Sequence, residues 1–148
     1  YLVEFRGYEL SGNDLRIMGS LHHVLIDIER IGDYAENIAE YAAEYPENIA
    51  AMSPDGRAEL GAMSDKTMET LRTSLEIFNA RDANRIKIVE ELEQEIDVMK
   101  KTYISNHVDR LQQKACDPRL DVLFTNIVTT LERVSDHALN IAQSLENG

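Results

Sequence analysis

Two acidic motifs of the same pattern carry the residues best able to do chemistry. Residues 26–39 read IDIERIGDYAENIA and residues 129–142 read TTLERVSDHALNIA, so Glu, Arg, Asp, Ala, Asn, Ile and Ala recur 103 positions later. Duplicated core packing explains repeated apolar residues, but a solvated helix face rarely dictates repeated polar types. Paired carboxylates suit hard and borderline divalent and trivalent cations. The repeat therefore predicts metal binding by Glu29 with Asp33 and by Glu132 with Asp136.

Helix geometry places each acidic pair where a cation is needed. Glu29, Asp33 and Asn37 lie at i, i+4 and i+8 and climb one side of a helix. At about 100° per residue this column lies beside the apolar stripe, not opposite it. Carboxylates at the edge of a helix contact are partly desolvated, and like charges there are costly unless a cation joins them. The remaining polar residues of the two motifs are candidates to support the ligands: Asn37, Asn140, Arg30 and Arg133.

A third acidic pair, Glu93 with Asp97, has the same i, i+4 spacing. It lies beside an apolar line on the third of four predicted helices. If this helix packs antiparallel to the fourth, Glu93 and Asp97 face the acidic pair of the second motif across one groove. By the same analogy, the pair of the first motif needs a facing helix upstream of Tyr1. We therefore expect the first-motif site to be half built.

The residues leave two alternatives to a metal-binding regulatory domain. In a metal-free scaffold, the acidic columns are solvated or form local ion pairs with Arg30 and Arg133, and they set helix register or dimer contacts. A di-iron carboxylate enzyme requires Glu-x-x-His on the inner faces of a four-helix bundle, and no His of this chain follows a Glu by three positions. The sequence has neither a Gly-rich phosphate loop nor an evident nucleophile paired with a base. We therefore expect no enzymatic activity.

Four long helices must position these motifs. Their starts are read from N-cap residues and prolines, and their ends from breakers: Ser11 to about Glu44, Ser53 to the break before Asp82, Asp82 to about Ala115, and Asp117-Pro118 to nearly the end. Short loops make consecutive helices antiparallel. The predicted fold class is all-α, an elongated antiparallel helical bundle.

Apolar residues at spacings of three and four give each of the first three helices an apolar stripe, whose Met and Tyr residues are expected in the core. Where partner helices are missing, we expect a long stripe to be exposed. The stripes are Leu21, Leu25, Ile28, Gly32, Ala35, Ala39 and Ala42 in the first helix; Leu60, Met63, Met68, Leu71, Leu75 and Phe78 in the second; and Ile86, Val89, Leu92, Ile96, Met99 and Tyr103 in the third. The sequence begins inside an apolar run, Tyr1 to Phe5, as expected of a fragment of a longer chain. We expect a homodimer that covers the apolar edge left by truncation.

Composition and charge exclude several partners. The 148 residues carry 27 acidic and 15 basic side chains, a formal net charge of −12. Such a surface repels phosphate backbones and anionic membrane surfaces, so we expect no nucleic-acid binding. No apolar run approaches the roughly 20 residues of a membrane span, so we expect no direct membrane insertion of these residues. The one cysteine cannot form an internal disulfide, which suits a reducing compartment.

The stretch DIERIGDYAENIA and its echo LERVSDHALNIA resemble the PhoU family of phosphate-transport regulators. Members of this family carry E(D)xxxD motifs in two three-helix repeats and bind multinuclear iron or zinc clusters on them. The resemblance implies a single PhoU-like domain over 1–148, with 1–46 as the end of the first repeat and 53–147 as a second three-helix repeat. It places the metal on Glu29, Asp33, Glu132, Asp136, Glu93 and Asp97.

Within the family, the segments Leu21-His22-His23 and His107-Val108-Asp109 look closest to the cytoplasmic tail domain of bacterial Na/Pi-cotransporter proteins. This resemblance implies a regulatory metal-binding domain that transmits phosphate status to the membrane transporter portion of the same or a partner protein. It also implies a cytoplasmic location, tethered to the inner face of the membrane through segments before Tyr1. The alternatives are a free-standing PhoU-type phosphate-signalling regulator and a metal-free helical scaffold or dimerisation domain.

Overall fold

A computed structural model describes residues 11–113 and 119–147, and within them the backbone is helical without any strand. The α-helices are α1 (Gly12–Glu44), α2 (Pro46–Ala51), α3 (Pro54–Ala80), α4 (Ile86–Gln112) and α5 (Arg119–Gln143), with 3-10 turns at Ala83–Arg85 and Ser144–Asn147. The predicted all-α class with four long helices is confirmed. No helix in these ranges combines the length and apolarity needed to cross a membrane.

The helix starts predicted at Ser11 and Ser53 are confirmed, whereas the start predicted at Asp82 is not, because a 3-10 turn follows Asp82 and α4 begins at Ile86. Ser11 caps α1 through a capping box, in which its Oγ accepts from the Asp14 N–H and its own N–H donates to Asp14 Oδ2, each at 3.1 Å. The Ser53 Oγ accepts from the Gly56 N–H at 3.1 Å, and Pro54 occupies the first turn of α3. Pro46 ends α1, as expected, but it also begins the short helix α2, which was not predicted. The predicted boundary at 115–118 lies outside the described residues.

The fold centres on α5, which packs against α1, α3 and α4. The helices α3, α4 and α5 form a three-helix bundle, whereas α1 contacts this bundle mainly through α5 and the 3-10 turn that follows it. The largest fully buried side chains include Met63 of α3, Ile96 of α4 and Phe124 of α5. The core therefore lies between α3, α4 and α5, and α1 is an addition to one side of it.

The apolar stripe predicted for α1 is present, and it is exposed, as expected of a helix whose partner helices are missing. Leu21, Leu25 and Ile28 are exposed, and so are the small residues that continue the stripe toward Glu44. The side of α1 that packs on α5 carries buried Val24 and Asp27 instead. Helical periodicity identified an apolar face correctly, but no helix of the described ranges covers it.

The stripe predicted for α3 is confirmed only in part. Met63 is fully buried, but Met68 and Leu75 are exposed. Small polar residues take the buried face in their place: Thr67, Thr70 and Ser74. The Thr70 Oγ1 donates to the Lys66 carbonyl at 2.8 Å, and the Ser74 Oγ donates to the Ala138 carbonyl of α5, so these two hydroxyls keep hydrogen bonds inside the core. Within the described residues, the buried Thr67 Oγ1 has no hydrogen-bond partner.

The stripe predicted for α4 is confirmed at its first four positions. Ile86, Val89, Leu92 and Ile96 are buried, and Met99 and Tyr103 are half-buried beside the core. Because this stripe faces the core, the acidic pair Glu93 and Asp97 beside it lies at the edge of the α4–α5 contact.

Candidate metal centre

Four carboxylates from α4 and α5 come together at the edge of the helix contact. Glu93 and Asp97 of α4 and Glu132 and Asp136 of α5 each offer one oxygen, and these oxygens all lie within 4.8 Å of one another. All four residues are half-buried. The groove predicted from the i, i+4 spacing on two facing helices is therefore present.

The antiparallel packing of α4 and α5 produces this cluster. Lys100 Nζ lies 3.6 Å from Glu132 Oε2, and His107 Nε2, two turns later in α4, lies 2.9 Å from Asp121 Oδ1. Residues later in α4 therefore contact residues earlier in α5, as antiparallel packing requires. His107 is buried and stacks on Phe124 with ring centroids 4.4 Å apart, and this burial lowers the pKa of the imidazole.

The electrostatics of the cluster favour a bound positive charge or a proton. Burial, together with a hydrogen bond to Asp136 and the charge of Asp97, raises the pKa of Glu93 to about 8. Burial and the charge of Asp136 also raise the pKa of Glu132, while Lys100 opposes this effect. The folded chain therefore disfavours the fully ionised cluster, because four like charges meet where water is partly excluded.

Among residues 11–113 and 119–147, one basic side chain lies against the cluster. It is Lys100, whose ammonium contacts Glu132, a side chain only 16 % exposed. Arg133, which the sequence suggested as a supporting residue, is exposed. One lysine opposes four carboxylates, so the cluster keeps a capacity for further positive charge.

The donor set fits a metal ion of the hard class. All the candidate ligands are carboxylate oxygens, which suit hard divalent and trivalent cations and accept zinc as well. Two carboxylates one turn apart on each of two helices would supply four ligand groups to one ion or to a multinuclear cluster. The residues would hold such ions between α4 and α5, where a bound cation would offset the burial and the neighbouring carboxylate charges that raise the pKa of Glu93.

The first acidic motif has a different environment. Glu29 and Asp33 are exposed on α1, and Asn37 is half-buried. Within residues 11–113 and 119–147, the cluster on α4 and α5 is the one group of acidic residues close enough to share an ion. The structure therefore brings together four of the six predicted ligands and leaves the first pair without a facing partner in the described chain.

A polar contact between α1 and α5 was missed by sequence reasoning. Asp27 is buried, its Oδ1 lies 2.8 Å from His137 Nδ1, and the Asn140 Nδ2 donates to the same oxygen at 3.3 Å. Asn140 thus supports Asp27 instead of a cluster carboxylate. The available signal was the spacing of Asp27 from Val24 and Ile31, which puts it on the second apolar side of α1.

Comparison with known proteins identifies the family of the chain. The family model of the PhoU domain matches residues 3–42 and 60–145. The chain therefore belongs to the PhoU domain family.

Three curated relatives carry the name phosphate-specific transport system accessory protein PhoU homolog. The protein of Pseudomonas aeruginosa is 31% identical over 136 residues, which cover 90% of this chain and 54% of the relative. The protein of Pseudomonas putida is 33% identical over 138 residues, with 90% and 51% covered, and that of Synechocystis is 30% identical over 131 residues, with 88% and 56% covered. The chain thus spans about half the length of these relatives. No solved structure matches significantly.

Proposed function

We propose that this chain is a metal-binding regulatory domain of phosphate transport, of the PhoU type. The observation that carries the proposal is the cluster of Glu93, Asp97, Glu132 and Asp136 between α4 and α5, in a member of the PhoU domain family. The relatives are named as accessory proteins of phosphate-specific transport systems. An accessory, regulatory role without a catalytic step is the function that these observations support best.

The bound species is an iron or zinc ion, or a multinuclear cluster of these ions. Its role is structural, since it joins two helix faces that otherwise repel each other, and it requires no open coordination position. Glu29 and Asp33 are ligands of a second site, which is complete only when another acidic pair faces α1. For Asn37 and Arg30 a supporting role remains a prediction. A domain with a net charge of −12 binds phosphate best through such a cation.

The names of the relatives favour a PhoU-type regulator over a cotransporter tail. All three are PhoU homologs, and none of these names refers to a Na/Pi cotransporter. We place the site of action at the cytoplasmic face of a membrane phosphate transporter. The resemblance of two segments to Na/Pi-cotransporter tails makes attachment to such a transporter the narrower form of the same proposal.

A metal-free scaffold is the second candidate, and one observation favours it. Because the pKa of Glu93 is raised to about 8, this side chain can keep its proton at neutral pH and donate a hydrogen bond to Asp136. With Lys100 beside Glu132, the cluster then holds α4 to α5 without any metal. The two candidates differ in what occupies the cluster.

Metal content decides between them. Tag-free protein purified without chelator is analysed by plasma mass spectrometry beside the double variant Glu132→Ala/Asp136→Ala. The matched control is Glu29→Ala/Asp33→Ala, which removes the same residue types from the exposed motif. We expect iron or zinc near or above stoichiometric amounts in the parent and the control, and its loss in the cluster variant. No bound metal in any of the three, even after refolding with iron or zinc, contradicts the proposal and leaves the scaffold.

The regulatory part of the proposal needs a cellular test. The chain is expressed in a Pseudomonas strain that lacks its own PhoU homolog, and phosphate uptake is measured in low and high phosphate. We expect the parent chain to restore at least part of the phosphate-dependent change in uptake, and the cluster variant to restore less. If both proteins restore the phosphate-dependent change in uptake equally, the regulatory role does not depend on the metal.

A further inference from the structure

A buried carboxylate, Asp27, joins α1 to α5. Its Oδ1 lies 2.8 Å from His137 Nδ1 and accepts a hydrogen bond from Asn140 Nδ2 at 3.3 Å. We call this contact of Asp27 with His137 and Asn140 the α1 latch. A buried carboxylate costs free energy unless such partners compensate for the lost water. The helix α1 can therefore dock in its present position only when α5 presents both partners.

The two latch partners lie on the same turn of α5 as a carboxylate of the cluster. Asp136 directly precedes His137, and Asn140 follows one turn after Asp136. Successive residues of a helix point about 100° apart. This turn therefore places Asp136 in the cluster with α4 and places His137 against α1. The cluster and the α1 latch hold two sides of one helical turn.

The attachment of α1 depends on α5. Within the described residues, α1 packs mainly on α5 and on the 3-10 turn that follows it. Near the latch, Val24 is buried, the Ser20 Oγ donates to the Ser144 carbonyl at 3.3 Å, and the Tyr34 ring centroid lies 5.7 Å from that of His137. A change in how α5 presents its 136–140 turn therefore acts directly on the docking of α1.

We propose that the α1 latch couples the docking of α1 to the occupancy of the carboxylate cluster, so that a cation between α4 and α5 holds α1 more firmly on the bundle. The proposal rests on the proposed function, because it requires the cluster to bind metal. Without a cation, Asp136 meets like charges from α4, and these disfavour a fixed position of its turn. With a cation, the turn is fixed from the α4 side, and Asp27 docks on partners that are already ordered.

The coupling must act in both directions, because coupling free energies between two sites are reciprocal. Docking of α1 orders the 136–140 turn, so loss of the latch weakens metal binding although neither Asp27 nor His137 is a ligand. Two variants separate this coupling from a charge effect. Asp27→Ala removes a negative charge, whereas His137→Ala leaves every carboxylate in place. Coupling weakens zinc binding in both variants, and electrostatic attraction alone weakens it only in Asp27→Ala.

Hydrogen exchange of the full chain, followed by mass spectrometry, tests the effect of the cluster on α1. Peptides of α1 are compared in chelator and in saturating zinc, for the parent and for Glu132→Ala/Asp136→Ala. We expect zinc to slow α1 exchange roughly fivefold or more in the parent and to leave it unchanged in the cluster variant. If zinc binds the parent and α1 exchange stays the same, or slows equally in the cluster variant, this proposal is overturned and the proposed function stands. If zinc does not bind, both are overturned.

Calorimetric titration with zinc tests the effect of the latch on the cluster. The latch variants are Asp27→Ala and His137→Ala, and the matched control is Glu36→Ala, which removes an exposed carboxylate from the same helix. We expect the dissociation constant to rise roughly fivefold in both latch variants and to stay near the parent value in the control. Far-UV circular dichroism checks that the variants keep their helix content. An unchanged dissociation constant in folded His137→Ala overturns the proposal.

Discussion

The two acidic motifs are nearly the same in sequence and very different in environment. In α5, Glu132 and Asp136 are half-buried and face a second acidic pair on α4. In α1, Glu29 and Asp33 point into solvent from a helix whose apolar stripe is also exposed. Each motif supplies two carboxylates and an adjacent packing face. A four-carboxylate site forms only where a second helix with its own acidic pair faces the motif. A Glu-x-x-x-Asp pair alone therefore does not define a metal site.

The largest difference between the two motifs is expected in core packing. Leu131 of α5 is buried and its counterpart Ile28 of α1 is exposed. We expect Leu131→Ala to lower the free energy of unfolding by about 2–5 kcal/mol, because it leaves a cavity beside α3 and α4. Ile28→Ala should change it by less than about 0.5 kcal/mol in the monomer. Urea denaturation of dilute protein measures both, and equal losses would contradict the assignment of the two faces.

A smaller effect concerns pH in the metal-free protein. Since the folded chain raises the pKa of Glu93 from 4.5 to about 8, the protonated form stabilises the fold. This contribution is complete below the unfolded value and is lost as the pH rises toward 8. We expect the melting temperature of chelated protein to fall by several degrees over this range, since each unit of pKa difference corresponds to about 1.4 kcal/mol and solvent screens part of this at a half-buried group.

Two substitutions identify the source of that pH dependence. Glu93→Gln keeps an uncharged side chain at every pH, so its melting temperature should fall less between pH 5 and 8 than that of the parent. Glu29→Gln makes the same change in the exposed motif and should follow the parent curve. If Glu93→Gln also follows the parent curve, the cluster is not the titrating site.

The small residue between the acids of each motif offers a third comparison. Gly32 of α1 is exposed with open space at its Cβ position, whereas Ser135 of α5 is fully buried. Gly32→Ala should stabilise the monomer by about 0.5–1 kcal/mol, because glycine is a poor helix former in a helix interior. Ser135→Gly should destabilise it by a similar amount. Thermal unfolding of dilute protein measures the pair, and a loss of stability in Gly32→Ala would indicate that something already packs there.

The smallest expected effect belongs to the lysine of the cluster. Lys100 is about one-third exposed, so its ion pair with Glu132 contributes less than about 1 kcal/mol to stability. Lys100→Met should therefore leave the unfolding free energy nearly unchanged. It should also strengthen metal binding a few-fold, because it removes a positive charge beside the site. Calorimetric titration with zinc measures this affinity, and weaker binding in the variant would make Lys100 a helper of the metal site.

Much of the fold followed from local sequence signals. The capping box at Ser11 and the Ser53-Pro54 pair gave the starts of α1 and α3, since these side chains satisfy backbone groups that a helix always leaves free. The i, i+4 spacing of Glu93 and Asp97 also predicted the groove they share with α5. Both signals depend on one or two helical turns, which the sequence specifies directly.

The remaining features depend on contacts between distant residues. Periodicity marked one face of α1 as apolar, but the side of α1 that packs on α5 carries Val24 and Asp27, and Asp27 contacts His137, which is 110 positions away. In α3 the buried Thr70 and Ser74 lie where Met68 and Leu75 were expected, because a close approach to α5 favours small side chains. Which residues are buried at these contacts depends on the neighbouring helix, and a short window of sequence does not contain that information.

The helix α1 is attached to the three-helix bundle mainly through its contact with α5, and this affects the order of folding. The α3, α4 and α5 helices follow one another closely in the chain, so their contacts close short loops and form early. Docking of α1 on α5 closes a loop of about a hundred residues and gains less buried surface in return. Amide protons of α1 should therefore exchange with solvent faster than those of α5, through an opening that leaves the three-helix bundle folded.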